Sequence, residues 1–92
     1  MKFKPTDCFS VSEEVLAQEV SGETVLLDLN GENYFGLNEV GTRIWQLLQS
    51  GATVNEVLDT LSDEYDASRE QLELDLNKLL ARLLGLELVS QV

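Results

Sequence analysis

The chain has 92 residues, the size of one small domain, and 43% of them are hydrophobic, which is sufficient for a single compact core. Six Lys and Arg against 17 Asp and Glu produce a net charge of -11, which argues against binding to nucleic acid or to anionic membranes. The absence of His and the presence of one cysteine, Cys8, argue against His-based catalysis, an internal disulfide and a thiolate zinc site. We therefore expect a single cytoplasmic domain over residues 1–92 that is not an enzyme and holds neither a cofactor nor a metal.

The first half of the chain has the pattern of a small antiparallel sheet. Residues 1–11 show no clean periodicity and form either a flexible arm or an edge strand. Three apolar-rich runs follow, over Val15–Val20, Thr24–Leu29 and Asn33–Leu37. Their connections, residues 21–23 and the Asn30-Gly31 pair, have the composition of tight hairpin turns. This arrangement predicts a β-meander whose third strand lies at an edge of the sheet.

The second half of the chain has the 3.6-residue period of helices. Asn38 is a good N-cap for a first helix, and capping boxes that begin at Thr53 and Ser68 open a second and a third. The third helix is expected to run to about Leu84, with Gly85 in the C′ position that stops it, and residues 86–89 could add a short terminal strand. Three strands followed by three helices, rather than an alternation of the two, predict an α+β fold.

Two features of this layout are candidates for binding. On the last helix, Asp75, Lys78 and Arg82 form a polar column beside an apolar stripe that includes Leu72 and Leu79. The column is either a surface ion-pair ladder or one wall of a binding site. Leu74 and Ala81 are expected to lie opposite the core.

The third predicted strand supplies the other candidate. It contains Tyr34, Phe35 and Gly36 but neither Lys nor Pro, the residues that usually protect an edge from pairing with another chain. Either Phe35 and Leu37 simply point to the core while Tyr34 half-covers the outer face, or an extended peptide adds here as a further strand.

Residues 31–89 resemble the PqqD-like family, winged-helix modules that are also called RiPP recognition elements. No single motif is specific, but the ordered set is. Counted from the second strand to the end, the match covers about three-quarters of the chain. The set consists of Leu37-Asn38, Ile44-Trp45, Leu47-Leu48, Gly51 with Thr53-Val54, Glu56-Val57, Leu61, Tyr65-Asp66, Asp75-Leu76, Leu79-Leu80 and Leu83.

The resemblance implies a winged helix-turn-helix-like fold that binds the leader region of a ribosomally synthesised precursor peptide as an added strand. The implied groove lies between the third strand and the third helix. By position its walls are Tyr34, Phe35, Gly36, Leu72, Asp75, Lys78, Leu79 and Arg82. The chain looks most like the stand-alone members of lasso peptide pathways, whose partners would be a leader peptidase and a cyclase. A peptide chaperone for the radical-SAM enzyme of PQQ biosynthesis is the alternative.

Two other classes of protein fit the sequence less well. A winged-helix DNA-binding regulator would share the fold, but the last helix carries three acidic residues beside its three basic ones. An acyl-carrier-like protein would suit the acidity, but neither Ser50 nor Ser62 lies in the Asp-Ser-Leu setting that such proteins need.

Overall fold

The computed structural model describes residues 3–29 and 33–92, and its elements follow the predicted order. They are β1 (Phe9–Val11), β2 (Val15–Val20), β3 (Glu23–Asp28), β4 (Asn33–Leu37), α1 (Glu39–Gln49), α2 (Val54–Glu64), α3 (Arg69–Gly85) and β5 (Val89–Gln91). The strands β2, β3 and β4 form an antiparallel sheet in that order. The predicted α+β fold, a three-stranded sheet followed by three helices, is confirmed, and β4 lies at an edge of the sheet.

The turn between β2 and β3 is one residue shorter than predicted. Ser21 and Gly22 both have positive φ, at 53° and 82°, and Val20 pairs directly with Glu23. This two-residue connection has the backbone of the type I′ hairpin turn, which matches the twist of the two strands. The Asn30-Gly31 turn predicted between β3 and β4 lies outside the described residues.

The predicted capping boxes differ in how completely they form. At α2, Thr53 accepts a hydrogen bond from the Glu56 amide while the Glu56 carboxylate accepts one from the Thr53 amide. At α3, the Ser68 hydroxyl accepts from the Gln71 amide, but the Gln71 side chain donates to Asp75 Oδ1 at 2.9 Å instead of returning to Ser68. The second box is therefore only half present, because a carboxylate one turn further along the helix competes for the Gln71 amide group.

The C-terminal end of α3 differs from the prediction, which placed Gly85 just after the helix in the C′ position. Gly85 is the last helical residue, and the left-handed position is taken two residues later by Glu87, at a φ of 59°. The Leu88 amide donates to the Leu83 carbonyl at 2.9 Å, which is the long hydrogen bond of a Schellman motif. The α1 helix ends in the same motif with Gly51 in the left-handed position. Because the α3 cap uses residues 86–88, the terminal strand begins at Val89 rather than at residue 86.

The N-terminal segment pairs with other parts of the chain and not with β4. The strand β1 pairs antiparallel with β5, so that Phe9 lies opposite Gln91. The carbonyls of Asp7 and Pro5 accept hydrogen bonds from the Val54 and Asn55 amides, which have no partner within α2. Residues 5–11 therefore cap one helix and pair with the C-terminal strand, and they leave the free edge of β4 uncovered.

The core lies between the inner face of the sheet and the three helices. Its fully buried side chains include Leu26, Ile44, Trp45, Leu48, Leu61, Leu76, Leu80 and Leu83. As expected, Leu74 and Ala81 are exposed on the far side of α3. None of the helices in the described part of the chain is long and apolar enough to cross a bilayer.

An ion pair joins the exposed sides of α1 and α2. Arg43 Nε lies 2.8 Å from Glu64 Oε1, and Arg43 Nη2 lies 2.9 Å from Glu64 Oε2. The hydrogen bonds from Arg43 lower the pKa of the Glu64 carboxyl, and those to Glu64 raise the pKa of Arg43. This two-point contact fixes the relative position of the helices at the surface, but as an exposed pair it contributes little to stability.

Candidate functional site

A groove with a volume of about 410 Å³ runs between the free edge of β4 and the α3 helix. Its walls come from these two elements, and its floor comes from the first turns of α1. The lining residues are Phe35, Gly36 and Leu37 of β4, then Asn38, Val40, Gly41 and Ile44, and finally Asp75, Lys78, Leu79 and Arg82 of α3.

The register of the sheet shows which main-chain groups of β4 face outward. In the two-residue hairpin, Val20 and Glu23 form a hydrogen-bonded pair. The main-chain N–H and C=O groups of every second β3 residue, counted from Glu23, therefore point to β2. The hydrogen bond from the Leu29 amide to the Glu14 carbonyl, 2.9 Å long, continues the same series. Leu26 must therefore bond to its β4 partner Phe35. It follows that the amides and carbonyls of Tyr34 and Gly36 point away from the sheet at its open edge.

The α1 helix comes close enough to β4 to form the floor of the groove because Gly41 has no side chain. A Cβ at this position would lie 3.3 Å from Asn38 Oδ1 and 3.3 Å from Leu37 Cβ. Asn38 is the N-cap of α1, and its side chain accepts a hydrogen bond of 2.8 Å from the Gly41 amide. The end of β4 and the start of α1 thus form one tight corner at one end of the groove.

Phe35 and Arg82 join the two walls across the middle of the site. The Arg82 guanidinium carbon lies 4.5 Å from the centroid of the Phe35 ring, a distance typical of a cation–π contact. On the other side of this pair is a second cavity of about 220 Å³. It is lined by Leu26, Asp28, Asn33, Tyr34, Phe35, Arg82, Leu86 and Leu88. Because both cavities share Phe35 and Arg82, they form successive parts of one path along β4.

The polar column of Asp75, Lys78 and Arg82 on α3 does not form an ion-pair ladder, which was one of the two interpretations of the sequence. Asp75 accepts from the Gln71 side chain, and Arg82 lies over an aromatic ring. Within residues 3–29 and 33–92, the ion pairs join Arg43 to Glu64 and Arg69 to Asp59 and Glu73, and all lie outside the groove. Over the same residues, no group of three acidic or Cys side chains is placed to hold a metal ion.

Six of the eight residues expected in the site line the main groove: Phe35, Gly36, Asp75, Lys78, Leu79 and Arg82. Tyr34, which is 79% exposed rather than half-covering the outer face, lines the second cavity. Leu72 is only 3% exposed and belongs to the core. The sequence did not predict that Val40, Gly41 and Ile44 of α1 form the floor of the groove. The N-cap at Asn38, directly after the edge strand, was a signal that α1 begins next to β4.

The outer face of the sheet, which points away from the helices, is unusually apolar for so acidic a chain. Leu16, Leu27 and Tyr34 lie side by side across the three strands and are all exposed. Val20 and Val25 extend the same patch, and both are also exposed. Contiguous exposed apolar surface of this kind is typical of a site of interaction with another protein.

The open sheet edge, the helix beside it and the groove between them define an α+β module that an extended chain can approach along β4. A family model described as "Coenzyme PQQ synthesis protein D (PqqD)" matches residues 23–89, and this chain belongs to that PqqD family. The resemblance indicated by the sequence is therefore confirmed. No curated protein sequence matches the chain.

Two solved structures share the fold over most of its length. The first is TbiB1 in complex with the TbiA(beta) leader peptide, which is 38% identical, covers 88% of this chain and 94% of that chain, and has a TM-score of 0.82. The second is a lasso peptide synthetase B1 complexed with the leader peptide, at 27% identity, 89% and 96% coverage and a TM-score of 0.80. The similarity covers nearly all of each solved chain, so it includes both the sheet and the helices that form the groove.

Proposed function

We propose that this chain binds the leader region of a ribosomally synthesised precursor peptide as a fourth strand along β4, and that it acts by binding rather than by catalysis. The observation that carries the proposal is the open edge at Tyr34 and Gly36, whose main-chain groups face the groove beside α3. The leader peptides in the two similar solved structures support the same kind of ligand.

The strength of such binding follows from the edge and the cavities. The outward amides and carbonyls of Tyr34 and Gly36 can make up to four hydrogen bonds, each with a net contribution of about 0.5–1.5 kcal/mol. An apolar leader side chain that enters either cavity contributes about 1.5–3 kcal/mol more. Ordering a flexible leader removes part of this gain, so we expect an affinity in the micromolar to submicromolar range.

We further propose that a modifying enzyme docks on the outer face of the sheet, at the patch formed by Leu16, Leu27 and Tyr34. An added leader strand would lie next to Tyr34 and extend this face by one strand, so that the partner contacts protein and leader together. In a lasso pathway the partners would be the leader peptidase and the cyclase, and in a PQQ-type pathway a radical-SAM enzyme. Both pathways place the chain in the cytoplasm, which stays a prediction, as does a single domain over residues 1–92.

Amide exchange tests the added strand directly. The TbiA(beta) leader peptide, the ligand in the similar structure at 38% identity, is titrated into the protein while exchange of single amides is followed by NMR. The Tyr34 and Gly36 amides, which are free at the edge, should become at least about tenfold more protected. The Phe35 amide, which already bonds to β3, should change much less. Equal protection of all three amides, or protection elsewhere only, would contradict strand addition at this edge.

The docking surface calls for a separate measurement. We expect the double substitution of Leu16→Ser and Leu27→Ser to leave leader affinity within about twofold, because neither side chain faces the groove, and to slow leader removal by the partner peptidase. Leu74→Ser is the matched control, since Leu74 is an exposed leucine on α3, away from the sheet. Equal cleavage rates for the double variant and the control would exclude the sheet face as the docking site.

A further inference from the structure

The groove contains two basic side chains that form no ion pair with the residues that the structure describes. Lys78 and Arg82 both line it, and no carboxylate in residues 3–29 or 33–92 lies within ion-pair distance of either. This is unexpected in a chain of net charge -11, in which acidic side chains are nearly three times as numerous as basic ones. Arg43 and Arg69, by contrast, are both paired with carboxylates.

The groove has a defined order along its length. The corner with Asn38 is at the same end as Asp75, Lys78 follows, and Arg82 lies over Phe35 at the border of the second cavity. Beyond Arg82 the second cavity is lined by three leucines, namely Leu26, Leu86 and Leu88, with Asp28 and Asn33 as its polar members. A peptide that follows β4 from the corner therefore meets Asp75 first, then two cations that have no ion-pair partner in the described part of the chain, and then a cavity with leucine side chains in its wall.

We propose that the site selects leaders with an acidic side chain that points inward between Lys78 and Arg82, and with an apolar side chain two residues away that enters the second cavity. This inference rests on the proposed function and names the chemistry of its ligand. The attraction between a carboxylate and two cations that form no ion pair with the described residues supplies the preference, which a purely apolar groove would lack.

The two-residue spacing follows from the geometry of strands and helices. Side chains on one face of a strand recur every two residues, which is about 6.6–6.8 Å. Lys78 and Arg82 are one helical turn apart, about 6 Å along α3. An inward carboxylate opposite these cations therefore places the next inward side chain about one helical turn further, past Arg82. In an antiparallel added strand, the favoured pairing of this sheet, the acidic residue precedes the apolar one.

A peptide display selection tests the inference without knowledge of the natural leader. A library of random 12-residue peptides is selected on the immobilised full chain and, in parallel, on a Lys78→Glu/Arg82→Glu double variant. We expect the wild-type protein to enrich Asp or Glu two residues before an apolar residue, and the double variant to enrich Lys or Arg at that position. Lys4→Glu is the control, since it changes the charge of an exposed lysine outside the groove, and it should select the same peptides as the wild type.

A second measurement uses one enriched peptide and its Glu→Gln or Asp→Asn form. The change should weaken binding to the wild type about 5- to 10-fold because the charge of the contact is lost. It should strengthen binding to the double variant, because the two introduced glutamates repel an acidic side chain and do not repel an amide. Thermal melts establish that the double variant is folded, as expected because both substituted side chains are exposed.

The outcomes separate this inference from the function on which it rests. Enrichment of apolar motifs with no preference for an acid would overturn the inference and leave leader binding intact. An acid preference that persists in the double variant would overturn the assignment to Lys78 and Arg82. A selection in which no peptide binds the wild type better than it binds a Gly36→Pro variant would overturn leader binding along the β4 edge, and the inference with it.

Discussion

Replacement of Gly36 by proline should remove peptide binding at the β4 edge without harming the fold. The Gly36 amide points away from β3, so its loss costs no hydrogen bond in the sheet. Proline is tolerated in edge strands at positions whose amide faces solvent, and the extended Phe35 before it is compatible with a following proline. A side chain at Gly36 would meet no heavy atom within 4 Å beyond its chain neighbours.

The expected loss of affinity has two parts. One main-chain hydrogen bond disappears, a loss of about 0.5–1.5 kcal/mol, and a leader carbonyl is left unpaired in the groove at a cost of about 1–3 kcal/mol. A combined loss of about 1.5–4.5 kcal/mol corresponds to binding that is about 10- to 1,600-fold weaker. Gly36→Ala is the matched control because it adds a side chain but keeps the amide, and we expect its affinity to stay within about twofold of the wild type.

Fluorescence anisotropy with a labelled leader measures these affinities, and urea denaturation measures stability. The free energies of unfolding of both variants should lie within about 1 kcal/mol of the wild-type value, as for most substitutions at exposed positions. If Gly36→Pro is stable and binds the leader as tightly as Gly36→Ala, the main chain of β4 does not hold the peptide, and the reasoning from the register of the sheet is wrong.

Three further predictions concern the scaffold. Glu87→Gly should stabilise the protein by about 0.5–1 kcal/mol in urea denaturation, because Glu87 holds a positive φ that glycine adopts freely. Gly51→Glu should destabilise it for the same reason. Equal free energies of unfolding for the two variants would contradict this interpretation of the helix ends. Leu76→Ala should cost about 2–5 kcal/mol by the same assay, because Leu76 is fully buried, and a loss below 1 kcal/mol would be inconsistent with the packing described here. Arg43→Gln should be less stable than the wild type at neutral pH, and urea titrations should show the difference fading as the pH drops below 4.5. The reason is that the pKa of Glu64 is lowered in the fold, so protonation of Glu64 in this range removes the stabilisation. A stability difference that stays constant with pH would argue against this ion pair.

Local sequence signals predicted most of the main scaffold because they act within a few residues. The residues Asn33–Leu37 indicate a strand by their own composition, and the capping box of Thr53 and Glu56 indicates the start of a helix. Both elements formed as expected. The three-residue strands β1 and β5 could not be assigned in the same way. Each is too short to show a period, and their pairing joins Phe9 to Gln91 across almost the whole chain.

The candidate site shows the same division between local and tertiary information. The edge position of β4 and the polar column of α3 were evident from pattern alone. The contact of Arg82 with Phe35 was not, because it depends on how a helix and a strand 47 residues apart in sequence are packed. The resemblance placed Leu72 in the groove wall by position, although the helical period puts Leu72 on the apolar stripe of α3, and the structure buries it in the core.

The unprotected edge of β4 has a consequence for how the protein behaves in concentrated solution. The same edge at Tyr34 and Gly36 is open to a second copy of the chain as well as to a peptide, since neither Lys nor Pro blocks the strand. Long-range repulsion between bodies of net charge -11 opposes such pairing. That repulsion reaches about 10 Å at 0.1 M salt but only about 3 Å at 1 M. High ionic strength should therefore promote edge-to-edge oligomers, and low-salt buffers should keep the protein dispersed.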